Sequence, residues 1–264
     1  MSSRRFWLGY RRVELIVLKS QAELEKMRRA GRMVAEVLML LRDKIKPGVT
    51  SLELDTIAYN QCRKWNVKPA FKGYGGFPYT ICASLNEQIV HGFPSATPLV
   101  EGDILSVDFG LVSDGFYGDH AITFAVGEVD SETQRLLDIT LRSLQQGIDA
   151  ARPDGYLSDI SSAVQSCVEA AGFSVVREFV GHGIGRQLHE DPQIPNYGSP
   201  GTGPRLRPGM TLAIEPMVNV GKPGVSILDD GWTAVTVDGK RSAHFEHTIA
   251  ITENGPEILS RIDS

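Results

Sequence analysis

Apolar residues first recur at helical spacing over Leu24, Met27, Val34, Val37, Leu38, Leu41 and Ile45, between Ser20-Gln21-Ala22-Glu23 and Lys46-Pro47-Gly48. Ser and Glu three apart are the two halves of a capping box and Pro-Gly stops a helix, so the pattern predicts an amphipathic helix of about seven turns. Thr50-Ser51-Leu52-Glu53 repeats the start signal for a second helix reaching about Trp65. β-Branched and aromatic residues then dominate Ile104–Val112 and Phe116–Val126 on either side of Ser113-Asp114-Gly115, which predicts a hairpin. Ser131-Glu132-Thr133-Gln134 opens a third helix and Leu157–Ala171 forms a fourth. Helices followed by strands, twice, predict an α+β protein whose helices cover the outer faces of a mainly antiparallel sheet.

The doubling extends to single residues. Glu101-Gly102-Asp103-Ile104-Leu105-Ser106-Val107-Asp108 and Pro208-Gly209-Met210-Thr211-Leu212-Ala213-Ile214-Glu215 share one order: glycine, an apolar run, an acid. Gly118-Asp119-His120 before a strand matches Phe245-Glu246-His247 before another, and Val90-His91-Gly92-Phe93 resembles Gly181-His182-Gly183-Ile184. The chain therefore reads as two related halves, about 14–126 and 127–264, facing each other across one site. No low-complexity linker separates them, which predicts a single domain over 14–264.

Composition narrows the class. The 264 residues are 42% hydrophobic with no apolar run long enough to span a bilayer, as expected of a soluble globular protein. A formal net charge of -5 leaves no footprint for nucleic acid or a membrane surface. Cys62, Cys82 and Cys167 form no CxxC and no even framework, which fits buried thiols in a reducing cytosol.

The chemistry lies in the repeated motifs. Hairpin pairing would bring Asp108 and Asp119 together, and two carboxylates in an apolar sheet need a cation between them or a raised pKa. All six histidines, His91, His120, His182, His189, His244 and His247, fall in or beside these motifs. Oxygen donors in excess, one or two imidazoles and no thiolate suit Mn, Fe, Co or Zn. Four acids exceed the needs of one catalytic ion; two ions sharing carboxylates would use them to activate water and polarise a carbonyl, the apparatus of amide hydrolysis. Ahead of the hairpin, Phe71, Tyr74, Phe77 and Tyr79 crowd a Gly-rich loop that reads equally as ordinary core or as an apolar wall for a substrate side chain.

Over about residues 14–262 the chain resembles the type I methionine aminopeptidases of bacteria. The motifs that carry the likeness are Ser84-Leu85-Asn86-Glu87-Gln88-Ile89-Val90-His91-Gly92, Val107-Asp108-Phe109-Gly110, Asp114-Gly115-Phe116-Tyr117-Gly118-Asp119, Gly181-His182-Gly183-Ile184-Gly185 with His189-Glu190, Ala213-Ile214-Glu215-Pro216, Asp230-Gly231-Trp232-Thr233 and Phe245-Glu246-His247-Thr248. The resemblance implies the pita-bread fold and a metal-dependent enzyme that removes the initiator methionine from nascent proteins when the next residue is small. It implies Asp108, Asp119, His182, Glu215 and Glu246 as ligands of two divalent ions, with Asp119 and Glu246 bridging. Glu215 would also handle the proton of the attacking water. His189 would stabilise the tetrahedral intermediate, and His91 would lie near the scissile nitrogen. Tyr74, Phe77, Cys82 and Trp232 would line the methionine pocket, and Asn86 and Ser242 match positions that hold a monovalent cation in some relatives. A cytoplasmic monomer meeting its substrates at the ribosome is expected on the same ground.

Phe71 and Leu188 depart from the family pattern, and both are expected to flank the pocket. His120, His244 and His247 read as residues that fill strands or support ligands rather than as ligands. Proline-specific peptidases share the fold but carry a large N-terminal domain, and type II methionine aminopeptidases carry an insertion between the His182 and Glu215 motifs. A non-catalytic binding module would have lost ligands, and all five acids and histidines are present. Residues 1–13, rich in arginine, read as a loose N-terminal extension, or alternatively as a basic tether to an anionic partner.

Overall fold

Each of the first two helices begins where a side chain can take over an unpaired amide. In the computed structural model, which describes residues 16–262, α1 (Gln21–Arg42) and α2 (Ser51–Trp65) both start in complete capping boxes. Ser20 N–H donates to Glu23 at 2.9 Å and Thr50 N–H to Glu53 at 2.8 Å. The extension expected over residues 1–13 lies outside the described residues. Helix α1 stops at Arg42, three residues short of Ile45; the Ile45 amide still reaches the Leu41 carbonyl at 3.0 Å, in a turn that tucks Ile45 against the core. Helix α3 (Ser131–Ala150) is capped by Asp130, one residue before the Ser131 that the sequence suggests, because the Asp130 carboxylate accepts Thr133 N–H at 2.8 Å. Helix α4 (Leu157–Ala170) packs along α3.

The strands that matter for the site are β1 (Cys82–Leu85), β2 (Ile104–Ser113), β3 (Phe116–Ala125), β4 (Gly181–Gly183), β5 (Glu190–Ile194), β6 (Thr211–Ile214), β7 (His247–Thr252) and β8 (Gly255–Ile258). Among the described residues all pairings are antiparallel, but they divide among four sheets rather than one. Strands β1, β2 and β3 belong to a four-stranded sheet, and the second large sheet runs β8-β7-β6-β4-β5. The expected hairpin forms with Val112 opposite Tyr117 and the turn at Asp114-Gly115, both with positive φ.

The two largest apolar cores among the described residues lie between helices and sheets. One joins Val34, Leu38 and Leu41 of α1 and Leu54 of α2 to Leu105, Val107, Phe109 and Leu111 of β2. The other joins Leu136, Leu144 and Ile148 of α3 and Val164 of α4 to Leu212, Ile214 and Ile249. Helix α1 rests almost directly on β3, since a Cβ on Gly118 would stand 2.8 Å from the Ala30 and Gly31 backbone. That contact leaves no slack in the strand that carries Asp119. No helix among the described residues is long and apolar enough to cross a membrane.

Candidate metal centre

Strand register dictates which acids meet. Gly110 opposes Asp119 and Ala121 opposes Asp108, so the two aspartates sit diagonally on one face of the hairpin, close enough that the Asp119 charge helps raise the Asp108 carboxyl. In the other large sheet His182 pairs with Ala213 and Ile214 with His247, which brings Glu215 and Glu246 opposite each other just past the paired residues. The Glu246 amide donates to the Ala121 carbonyl at 2.9 Å and so joins the second pair of acids to the first. Thr248 braces the junction, its hydroxyl donating to the Asp119 carbonyl at 2.8 Å.

One ligand-type atom from each of Asp119, His182 and Glu246 falls within 4.8 Å of the others. Asp108 joins through Asp119, and Glu215 lies 3.6 Å from His182 Nε2. His182 Nδ1–H donates to the Gly183 carbonyl at 2.9 Å, which leaves Nε2 as a lone-pair donor facing the acids.

The electrostatics are costly for the protein by itself. Burial raises the carboxyls of Asp119 and Glu215 to about 8 and those of Asp108 and Glu246 well above their usual range, with repulsion from neighbouring acids adding to it at Asp108, Asp119 and Glu246. Among the described residues no Lys or Arg contributes to these shifts. Burial pushes His182 down to about 3, so it is a neutral imidazole. Asp108 Oδ1 and Glu246 Oε1 are buried with no hydrogen-bond donor, and orphaned carboxylate oxygens of that kind are what a cation satisfies. The donor set of carboxylates plus one imidazole, all inward, fits a divalent ion.

Above the acids is a cavity of about 250 Å³. That is small beside drug-sized pockets of about 300–1,000 Å³ and suits a single side chain. Its walls include Tyr74, Phe77, Cys82 and Trp232, with Phe77 and Trp232 edge to face at 5.2 Å. Of the aromatic loop, Phe71, Tyr74 and Phe77 line the cavity, while Tyr79 packs behind them on Phe77 and Phe93. Phe71 and Leu188 flank the cavity as expected. His91, in the left-handed region at φ 59, lines the cavity between Phe179 and Trp232, and burial takes it down to about 4. His189 packs on His182 with ring centroids 4.4 Å apart, and its Nδ1 meets the Tyr74 hydroxyl at 2.8 Å.

His120 and His247 stack 4.3 Å apart behind Glu246, and His120 hydrogen-bonds the Glu246 carbonyl. His244 differs from them: it lines the cavity, 3.4 Å from Glu215, and its Nε2 has no hydrogen-bond partner. Phe179 and Met217 also line the cavity and were not singled out by sequence. Met217, two residues beyond Glu215, carried a signal in strand period. Asn86 and Ser242 are neighbours, the Ser242 amide donating to the Asn86 carbonyl at 2.9 Å.

Comparison with known proteins agrees with a metal-dependent hydrolase. The profile of metallopeptidase family M24 matches residues 25–253. The methionine aminopeptidase of Clostridium perfringens is 53% identical over 248 residues, covering 94% of this chain and all of that one. The crystal structure of the Thermotoga maritima methionine aminopeptidase superposes with TM-score 0.92 at 53% identity, covering 94% of this chain and 100% of that one. The prolidase of Pyrococcus horikoshii, at 22% identity, TM-score 0.74 and coverage of 94% and 64%, is alike in fold alone. The chain therefore belongs to metallopeptidase family M24, enzymes of the pita-bread fold that use divalent metal. Within that family its place is among the bacterial type I methionine aminopeptidases.

Proposed function

We propose that this enzyme hydrolyses the bond after an N-terminal methionine when the next residue is small, using two divalent ions that Asp108, Asp119, His182, Glu215 and Glu246 would hold, Asp119 and Glu246 being the two acids that both ions would share. The observation that carries the reading is a cluster of four inward-facing acids, Asp119 and Glu246 buried and Asp108 and Glu215 partly so, with one imidazole at the base of an apolar cavity sized for one side chain. When bound, the ions supply an activated water and a polarised scissile carbonyl. The residues do the rest. Tyr74, Phe77, Cys82 and Trp232 take the unbranched thioether by shape and exclude water from it. Glu215 takes the proton of the attacking water. His189, its Nδ1 accepting from Tyr74, presents Nε2–H to the carbonyl oxygen as charge builds there, and His91 stands near the nitrogen that leaves.

The same reading takes residues 14–264 as one catalytic domain of two related halves, a cytoplasmic monomer that meets nascent chains at the ribosome. Asn86 and Ser242 would flank an optional monovalent cation. Mn, Co, Fe and Zn all suit the donors.

The test is hydrolysis of Met-Ala and Ala-Pro peptides by metal-stripped protein titrated with Mn, Co, Fe or Zn. Release of methionine from the first alone, dependent on metal, is expected; cleavage of Ala-Pro instead would overturn the substrate. His189→Ala should lower kcat by about 10²-fold with metal content unchanged, the usual loss for one oxyanion donor. Full activity in that variant would remove His189 from the mechanism.

A further inference from the structure

His189 is held by more than its own surroundings. Glu190, the next residue, forms a buried ion pair with Lys19 at 2.5 Å, the side chains 4% (Lys19) and 12% (Glu190) exposed. Its other oxygen accepts the amides of Arg186 at 2.7 Å and Gln187 at 3.1 Å, which closes the loop 184–189 on itself. Lys19 belongs to the segment before α1, and its amide donates to the Gly209 carbonyl at 2.7 Å, so the pair is anchored beside β6. The fit is tight: a Cβ on Gly185 would stand 2.4 Å from Lys19 Cε and 2.8 Å from Glu190 Oε1. Across the cavity mouth the Tyr74 hydroxyl fixes the imidazole itself.

We infer that Lys19 and Glu190 are positioning residues for His189: their ion pair fixes the loop backbone, and so the height at which the imidazole meets the substrate carbonyl. This rests on the role given to His189 above. A displacement of about 1 Å at such a group is enough to cost orders of magnitude in rate. The bond between a segment ahead of the first helix and a loop some 170 residues later lines a second hollow that shares His182 and His189 with the catalytic cavity, and it is otherwise hard to explain there, because a buried pair is weak evidence for stability by itself.

The experiment is a double-mutant cycle on the metal-loaded enzyme with a Met-Ala peptide. Glu190→Gln keeps the volume and one acceptor oxygen while removing the charge. It should lower kcat about 10-fold with KM within about twofold and metal content unchanged. In a His189→Ala background the same change should cost less than about twofold, because the group it positions is gone. Lys19→Arg, which restores a cation, should stay within about threefold of wild type; Lys19→Met buries an unpaired carboxylate and endangers folding, so it is not the deciding variant. Unchanged kcat in Glu190→Gln, or an equal loss in both backgrounds, would overturn the inference. Failure of the His189 role itself shows separately, as full activity in His189→Ala with Glu190 intact.

Discussion

Asp119→Asn should reduce methionine release by roughly 10³-fold, the upper end of what losing one preorganised electrostatic group costs, while making the metal-free protein more stable at pH 8. Both effects come from one charge. Asparagine keeps the carbonyl oxygen that accepts the His120 amide at 3.1 Å, so the hairpin has no reason to move. It cannot offer an anionic carboxylate, so on the proposed ligand set the metal site would lose one negative donor. Without metal the balance reverses, since Asp119 is an acid raised to about 8 by burial and by Glu215. Removing it relieves a cost on the order of 2 kcal/mol, a rise in Tm of roughly 5 °C for a chain of this size. Kinetics and calorimetry on the one variant read both. Surviving turnover would sink the ligand assignment; a lower Tm without metal would sink the account of like charges held together.

Metal-free wild type should lose stability between pH 6.5 and 8, and metal-loaded protein should not. The sign follows from which state holds more protons. Asp119 and Glu215, raised to about 8, keep protons in the fold that the unfolded chain has already released, so stability falls as pH climbs toward 8. The six histidines, all lowered by burial, act the other way, but most of their stabilisation is in place by about 6.5 and is lost only on acidification. Above 6.5 the acids outweigh the few tenths of a kcal/mol that each histidine still gains, at about 1.4 kcal/mol per pH unit for each proton, so the drop should reach roughly 2–4 kcal/mol. Bound cations hold the carboxylates ionised in the fold, which removes the slope. Tm at pH 6.5 and 8.0, with chelator and with Mn, decides it; equal slopes in the two samples would mean that the acids do not titrate as described.

What the sequence revealed of this follows from range. Capping boxes at Ser20 and Thr50 are local hydrogen bonds and could be read directly, as could the Asp108–Asp119 hairpin, whose turn sets its register. The internal repeat then placed Glu215 and Glu246 beside them. His244 was legible only as a strand residue, because its approach to Glu215 depends on how two small strands pair across the sheet. Lys19 gave no signal either: it lies in a short apolar stretch before the first cap, and its partner is fixed only by the closed loop at Glu190. The division into four sheets was hidden for the same reason, since composition marks strands but not which neighbours they choose.

The Glu246 amide bonded to the Ala121 carbonyl also sets an order of events. A ribosome delivers the hairpin acids first and the glutamate that faces them more than a hundred residues later, so an incomplete chain has half a cluster and nothing to hold it closed. On the proposed ligand set, ion bound per chain would therefore count correctly closed copies, and a preparation with full secondary structure but poor uptake would have folded its halves without joining them.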